Sequence, residues 1–209
     1  MKKEKNIIII GSGIGGLGAA ALLSKSGYTV TVIEKNDTLG GRANIFKAEG
    51  YTFDMGPSWY LMPDVFKHYF NLLGEKVSDH LDLVKLSPSY RVFFANDKDI
   101  PVLDIHSDLE KDLPLFEKLE PGITPKLREY LKRSGEQYAL AKHYFMYRNI
   151  GISADFLSWK LIKKGIQLNP FQTMHTYLNK WFKSDRVKKI LEYTLVFLGS
   201  DPAKTPALY

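Results

Sequence analysis

Residues 7 to 34 constrain this chain more than any other stretch: they read as a strand, a glycine turn, a helix and a second strand ending in an acid. Ile7, Ile8, Ile9 and Ile10 form a short β-branched run closed by glycine, the pattern of a strand buried on both faces of a parallel sheet. Gly11, Gly13 and Gly16 then fill the spacing G-x-G-x-x-G. The first permits a tight turn, the second lets backbone approach a pyrophosphate, and the third lets helix and strand pack closely. From Leu17 the chain is alanine-rich and helical, and Gly27 stands where a helix-terminating glycine belongs. A phosphate would rest on the N-terminus of that helix. Val30, Val32 and Ile33 mark the second strand. Glu34 follows about twenty residues beyond the glycines, where a carboxylate can accept both hydroxyls of an unphosphorylated ribose. A glycine pattern by itself also fits an ordinary turn; the strand before it, the helix after it and the spaced acid make dinucleotide binding the reading here.

The next motifs indicate which dinucleotide. Gly40, Gly41 and Arg42 follow the acid, and Gly50, Phe53, Asp54, Gly56 and Pro57 follow a short extended segment. With these residues the chain resembles the flavoprotein group that contains amine oxidases, protoporphyrinogen oxidase and the bacterial-type carotenoid desaturases, which share a glycine fingerprint followed by Gly-Gly-Arg. FDMGPSWYLMP, from Phe53 to Pro63, and LGSDPAKTPALY, from Leu198 to Tyr209, are most similar to phytoene and diapophytoene desaturases. The resemblance implies an α/β fold: a Rossmann-like FAD-binding domain with an inserted α+β substrate domain, here truncated at the C-terminus. Residues 1–76 would be the N-terminal part of the flavin domain and residues 77–209 an incomplete substrate domain. The cofactor implied is FAD, and the reaction is removal of two hydrogens from a CH2–CH2 pair beside a polyene, with hydride passing to the flavin. The cofactor-binding candidates are Gly11, Gly13, Ile14, Gly15, Gly16, Glu34, Lys35, Gly41, Arg42, Gly56, Pro57 and Ser58. Arg42 would give a charge-assisted bond to the pyrophosphate. Some relatives carry a carboxylate helper in the segment corresponding to Phe156–Lys164, but here that segment holds Trp159, Lys160 and Leu161. No catalytic residue is therefore assigned. Two alternatives share much of the pattern: a flavin amine or protoporphyrinogen oxidase, and a prenyl-lipid escort protein that binds without redox work.

Composition sets outer limits. The chain has 209 residues, 44% of them hydrophobic, enough to bury a sizeable core. It has no cysteine, which excludes disulfides, thiolate metal sites, a cysteine nucleophile and flavin attachment through sulfur. The five histidines, His68, His80, His106, His143 and His175, show no ligand spacing, so no metal is expected. No serine sits in a G-x-S-x-G elbow. The start MKKEK followed by four isoleucines imitates a signal peptide, but the apolar run is too short and breaks into glycines. No stretch approaches the length of a membrane span. The net charge of +6 suits an anionic surface and equally suits a protein with many solvated lysines. Nucleic acid is not expected as a partner. The expected setting is cytoplasmic, at the inner face of the membrane, with a long apolar isoprenoid as substrate.

Further along, Ala43–Phe46 and Tyr51–Phe53 can pair as a hairpin, bringing Gly41, Arg42 and Gly56 toward one ligand. Asp54 is assigned to the turn before Gly56 and Pro57. Pro63 and Asp64 open a helix whose stripe of Val65, Phe66, Tyr69, Phe70 and Leu73 reads as core until Gly74 ends it. Leu81–Leu86, Tyr90–Ala95 and Ile100–Leu103 read as strands, the last two joined at Asn96, Asp97 and Lys98. In the family, strands at this point floor the substrate cavity, so Tyr90, Phe93 and Phe94 could face a long apolar ligand. Ser107 would cap a helix over Asp108–Leu119. Thr124 and Pro125 would start a long helix to about Arg148, and Asn169 with Pro170 another. Lys160, Lys163 and Lys164 share one helical face beside Trp159, which fits a membrane surface or a solvated lysine face.

Overall fold

The computed structural model describes residues 5–57, 59–95, 99, 102–147, 159, 162–163, 166 and 171–207, in two compact units, Met1–Val84 and Lys85–Tyr209.

In the first unit, β1 (Asn6–Ile10), α1 (Ile14–Lys25) and β2 (Thr29–Ile33) form a strand–helix–strand crossover. β1 and β2 pair in parallel, with Ile7 opposite Val30 and Ile9 opposite Val32, as a helical crossover between two strands requires. The helix starts at Ile14, three residues before the alanine-rich run, with Gly13 as its extended N-cap. Gly15 and Gly16 thus sit inside its first turn. The expectation that the isoleucine strand is buried on both faces is corrected. Ile7 and Ile9 are half-buried, while Ile8 is 65% and Ile10 88% exposed. Two strands and one crossover helix cover one face only, and no described element lies on the other.

The hairpin forms from β3 (Ile45–Ala48) and β4 (Tyr51–Asp54), two residues later at its first strand than the sequence indicates. Phe46 pairs with Phe53 across it, and Asp54 is the last strand residue, opposite Ile45. Its two-residue loop, Glu49 and Gly50, has positive φ at both positions, which matches the right-handed twist of the strands. α2 (Pro63–Leu72) begins at the anticipated proline and docks on α1, with the Tyr69 hydroxyl donating to the Gly18 carbonyl at 3.1 Å. Its aromatic stripe is not core: no residue of α2 is buried. The predicted strand Leu81–Leu86 is irregular instead, and Leu83, Val84 and Leu86 are exposed. An apolar run becomes a strand only where a neighbour pairs its backbone, and none does so here.

In the second unit, β5 (Tyr90–Phe93) and β6 (Val102–Ile105) pair antiparallel, and Arg91 grips Asp104 across them with bonds of 2.5 and 2.9 Å. Tyr90 and Val92 pack toward the core, as does Phe94, whereas Phe93 points away and is exposed. The turn residues Asn96–Lys98 lie outside the described residues. α3 (Leu109–Leu119) is capped by Asp108 rather than Ser107, because the Asp108 carboxylate accepts from the Glu110 N–H at 3.1 Å. α4 (Thr124–Ala141) continues into a π-helical turn, Lys142–Met146. The helix start at Asn169 and Pro170 lies outside the described residues; α5 (Met174–Trp181) and α6 (Asp185–Glu192) follow, capped by the side chains of Thr173 and Ser184. Leu103, Ile105, Phe116, Ile123, Leu127, Leu178, Phe182, Val187 and Ile190 form the centre of one apolar cluster.

Candidate functional site

The glycine turn converges with the Gly40–Arg42 loop and the exit of the hairpin. Gly40 donates to the Ser12 carbonyl at 2.9 Å, and Gly13 and Gly40 form a parallel bridge, so the loop after β2 is stitched onto the turn after β1. Two close approaches explain the small residues. A Cβ on Gly16 would lie 2.1 Å from the Gly11 carbonyl oxygen, and one on Gly56 would lie 2.9 Å from the Ala43 Cα and 3.1 Å from the Arg42 oxygen. Gly13 differs, since a Cβ there would meet nothing within 4 Å among the protein atoms. Its missing side chain leaves room on the outer side of the turn.

That room opens into a cavity of about 660 Å³ lined by Gly13, Ile14, Gly15, Gly40, Arg42, Ala43, Met55, Gly56 and Pro57, a size in the ordinary range for small-molecule sites. Six of the twelve residues singled out from the sequence thus share one cavity. Gly11 and Gly16 form the turn behind it, and Gly41 lies against Gly13, its Cβ position 3.1 Å from the Gly13 Cα. Lys35 is exposed at the end of β2. Ser58 lies outside the described residues. Tyr90, Phe93 and Phe94 belong to the second unit.

Glu34 does not line the cavity but reaches back over the turn. Its Oε2 accepts from the Ser12 N–H at 2.8 Å and the Ser12 hydroxyl at 2.7 Å, and its Oε1 accepts from the Asn36 N–H at 3.0 Å and the Asn36 side-chain amide at 2.9 Å. The Ser12 backbone and hydroxyl donors, then the Asn36 N–H, hold its carboxyl down to about 2. It is an ionised acceptor at any physiological pH. Ser12 and Asn36, the donors that hold this acid, are not singled out by the sequence. The available signal was their placement: a hydroxyl between the first two glycines and an amide two residues after the acid.

The donor set fits a dinucleotide. By helix geometry the first-turn N–H groups of α1 have no intrahelical acceptor, and the helix dipole makes that end positive. Arg42 adds a cation at the cavity wall, and Glu34 is an ionised acceptor behind the turn. Beside this cavity of mixed lining, sharing Ile14 and Gly15, lies an almost wholly apolar groove of about 560 Å³ lined also by Leu17, Gly18, Val65, Phe66, Tyr69 and Phe70. The aromatic stripe of α2 walls this groove. Among the described residues no group of metal-ligating side chains is close enough to hold a metal ion, and no helix is long and apolar enough to cross a membrane.

Comparison with known proteins bears on the fold and on the kind of protein this chain is similar to. The family model described as an NAD(P)-binding Rossmann-like domain matches residues 9–75. Carotenoid 3,4-desaturase of Haloarcula japonica is 40% identical over 208 residues, 98% of this chain and 41% of that protein. The 4,4'-diapophytoene desaturase (4,4'-diaponeurosporene-forming) of Staphylococcus aureus strain Newman is 34% identical over 203 residues, 97% of this chain and 40% of that protein. An oxidoreductase from Methanosarcina mazei superposes with a TM-score of 0.58 at 16% identity over 97% of this chain and 40% of its own. Putrescine oxidase bound to putrescine does so with a TM-score of 0.55 at 17% identity, over 98% and 40%. At such identities these two structures establish the fold alone. The chain spans about two fifths of the length of the curated relatives it matches. Along nearly its whole length the chain is similar to these carotenoid and diapophytoene desaturases, and its first unit has a Rossmann-like fold.

Proposed function

We propose that the polypeptide to which these residues belong is an FAD-dependent desaturase of a phytoene-like carotenoid precursor. The observation that carries the reading is the joined cradle of Gly13, the α1 N-terminus and Arg42, with Glu34 held ionised behind it, in a chain 40% identical to a carotenoid desaturase. When bound, FAD supplies the hydride acceptor for removal of two hydrogens from an unactivated CH2–CH2 pair beside a polyene. The residues of this chain bind and orient it. Glu34 accepts the adenosine ribose hydroxyls. The amides of Ile14, Gly15 and Gly16 and the Arg42 guanidinium carry the pyrophosphate charge. Gly11 and Gly41 keep the turn and loop close, Pro57 lines the cavity, and Lys35 and Ser58 are assigned to the cofactor from the sequence resemblance alone. The acid–base side of the reaction, if it has one, belongs to residues beyond those assigned in this chain.

The division of labour follows the family: residues 1–76 serve the flavin domain and residues 77–209 the substrate domain. The substrate is an isoprenoid with almost no solubility in water, so the protein must draw it from a bilayer while docked on the cytoplasmic face. The exposed side chains of Trp159 and Lys163 support this docking, and lysines near an anionic surface contribute about 1 kcal/mol each. Lys160 and Lys164 lie outside the described residues. Flotation of the full-length protein with anionic and neutral liposomes measures the docking directly, and equal, negligible binding to both would remove it.

The deciding experiment measures flavin content and turnover together. Full-length protein should retain FAD and desaturate a C30 or C40 polyene in liposomes. Gly13→Val, which fills the open side of the turn, should lose most of the flavin. Unchanged flavin in that variant would sink the cofactor assignment. Turnover of a water-soluble amine but of no polyene would replace the desaturase with an amine oxidase, and a folded protein that binds polyene but cannot be loaded with flavin would be an escort.

A further inference from the structure

Glu34 already has as many hydrogen bonds as a carboxylate can comfortably accept. An ionised carboxylate offers about four lone-pair positions. Here four protein donors face them: Ser12 N–H and hydroxyl on Oε2, and Asn36 N–H and side-chain amide on Oε1. A ribose diol brings two further O–H donors. Each ribose hydroxyl that bonds Glu34 must take the place of one protein donor.

The four donors are not equally free to do so. The two backbone N–H groups are held by the chain, that of Ser12 within the turn whose carbonyl also takes the Gly40 N–H. The two side chains differ in surroundings: Ser12 is fully buried at 0% exposure, and Asn36 is exposed. A buried hydroxyl deprived of its acceptor stays unsatisfied, which is costly, whereas an exposed amide turns to water at little cost. Resting on the dinucleotide reading above, we propose that Ser12 is a permanent positioning residue for Glu34 and that the Asn36 side-chain amide is a displaceable placeholder, exchanged for one ribose hydroxyl on Oε1 while Ser12 keeps Oε2 in place.

This arrangement has two consequences. The carboxylate is presented in one orientation before any ligand arrives, so less ordering is left for the binding step. It also remains an acceptor in acid: the Ser12 donors first, and then the Asn36 N–H, hold its carboxyl below the ordinary glutamate range, down to about 2. No charged side chain enters that shift; the Lys35 contribution is through its backbone N–H. A depressed carboxyl contributes above its ordinary range and loses that contribution as pH falls through the folded value. Removing the Ser12 hydroxyl therefore moves the loss toward higher pH.

The test uses the full-length protein loaded with FAD. Ser12→Ala should weaken FAD retention about tenfold or more, the effect of losing a hydrogen bond to a charged group, and should shift acid release of FAD to higher pH. Asn36→Ala, an exposed change with little bearing on folding, should hold FAD as tightly as the parent or more tightly. Ser12→Ala indistinguishable from the parent in both readouts, or Asn36→Ala weakened as much as Ser12→Ala, would overturn the proposal. If the parent protein takes up no FAD, the functional reading fails and the brace is judged separately, from the Glu34 carboxyl titration in carbon-13-labelled protein. There Ser12→Ala must raise the titration midpoint, and an unmoved midpoint overturns the brace.

Discussion

The two units of this chain are specified by different physics. Lys85–Tyr209 is built around burial: all the buried hydrophobic side chains among the described residues, from Leu103 to Ala207, lie in it. Met1–Val84 has none. Its one fully buried residue is Ser12, and it is held by backbone stitching instead: the Gly40–Ser12 bond, the Glu34 bridge, the Asn44–Thr38 bond at 2.7 Å and the close glycine approaches. The second region can tolerate polar variation as long as its core volume is kept. The first depends on backbone positions that a single methyl group would spoil. Its exposed isoleucines and aromatics are faces of the kind that a doubly wound α/β domain covers with further elements, which fits a chain spanning two fifths of the length of its relatives.

Removing core volume should break the second region most sharply. Leu178 has no exposed surface and lies in the central cluster. Leu178→Ala should cost about 2–5 kcal/mol, read as a lowered urea midpoint with unchanged slope. A cost under about 0.5 kcal/mol would mean that the cluster is not the source of this region's stability.

A smaller effect is expected from the polar link within the same region. Glu120 ends α3, is nearly buried, and accepts from the N–H groups of Lys183 and Ser184, each at 2.8 Å, so one carboxylate oxygen satisfies the start of α6 from 63 residues away. Glu120→Ala would leave both amides without that acceptor and should cost about 1–3 kcal/mol. Glu120→Gln keeps a carbonyl oxygen at the same place and should recover part of it. Equal losses in the two variants would show that side-chain volume, not the acceptor, is what matters there.

What the sequence revealed follows the same division. The strand–turn–helix–strand–acid unit was legible because each part is local: β-branching, glycine geometry and spacing act within a few residues. The hairpin and the starts of α2, α3 and α4 were legible for the same reason, though Asp108 displaced Ser107 as cap because the competing side chains differ by one position and either can reach an early N–H. Leu81–Leu86 was misread since an apolar run says nothing about whether a partner strand exists. The stripe of Val65, Phe66, Tyr69 and Phe70 has the periodicity of a core face, yet it walls a groove, because periodicity identifies a face without identifying what lies opposite. Ser12 and Asn36 were missed because a carboxylate's donors come from a turn 22 residues away and from a residue type common in turns. The glycine pattern located the site; its electrostatics required coordinates.

The smallest effect expected in the 209-residue chain is also the one that sharpens the comparison most. Ile10 is 88% exposed on the open face of β1, so Ile10→Asp should alter the stability of this chain by no more than about 0.5 kcal/mol, as surface substitutions usually do. Hydrogen exchange of the α1 and β1 amides reads it locally, without requiring the whole chain to unfold as one unit. In the full-length protein the outcome should reverse. A parallel strand covered on both faces places that side chain in an apolar interior, where an unpaired carboxylate costs about 3 kcal/mol or more. The same substitution should there lower the unfolding midpoint and loosen flavin, although it touches none of the cradle residues. Equal, small effects in both proteins would mean that the face stays in solvent and that the first unit is finished as it stands. A large effect in the 209-residue chain would mean that the isoleucine face is already packed, and the contrast between a region held by burial and one held by backbone would fail.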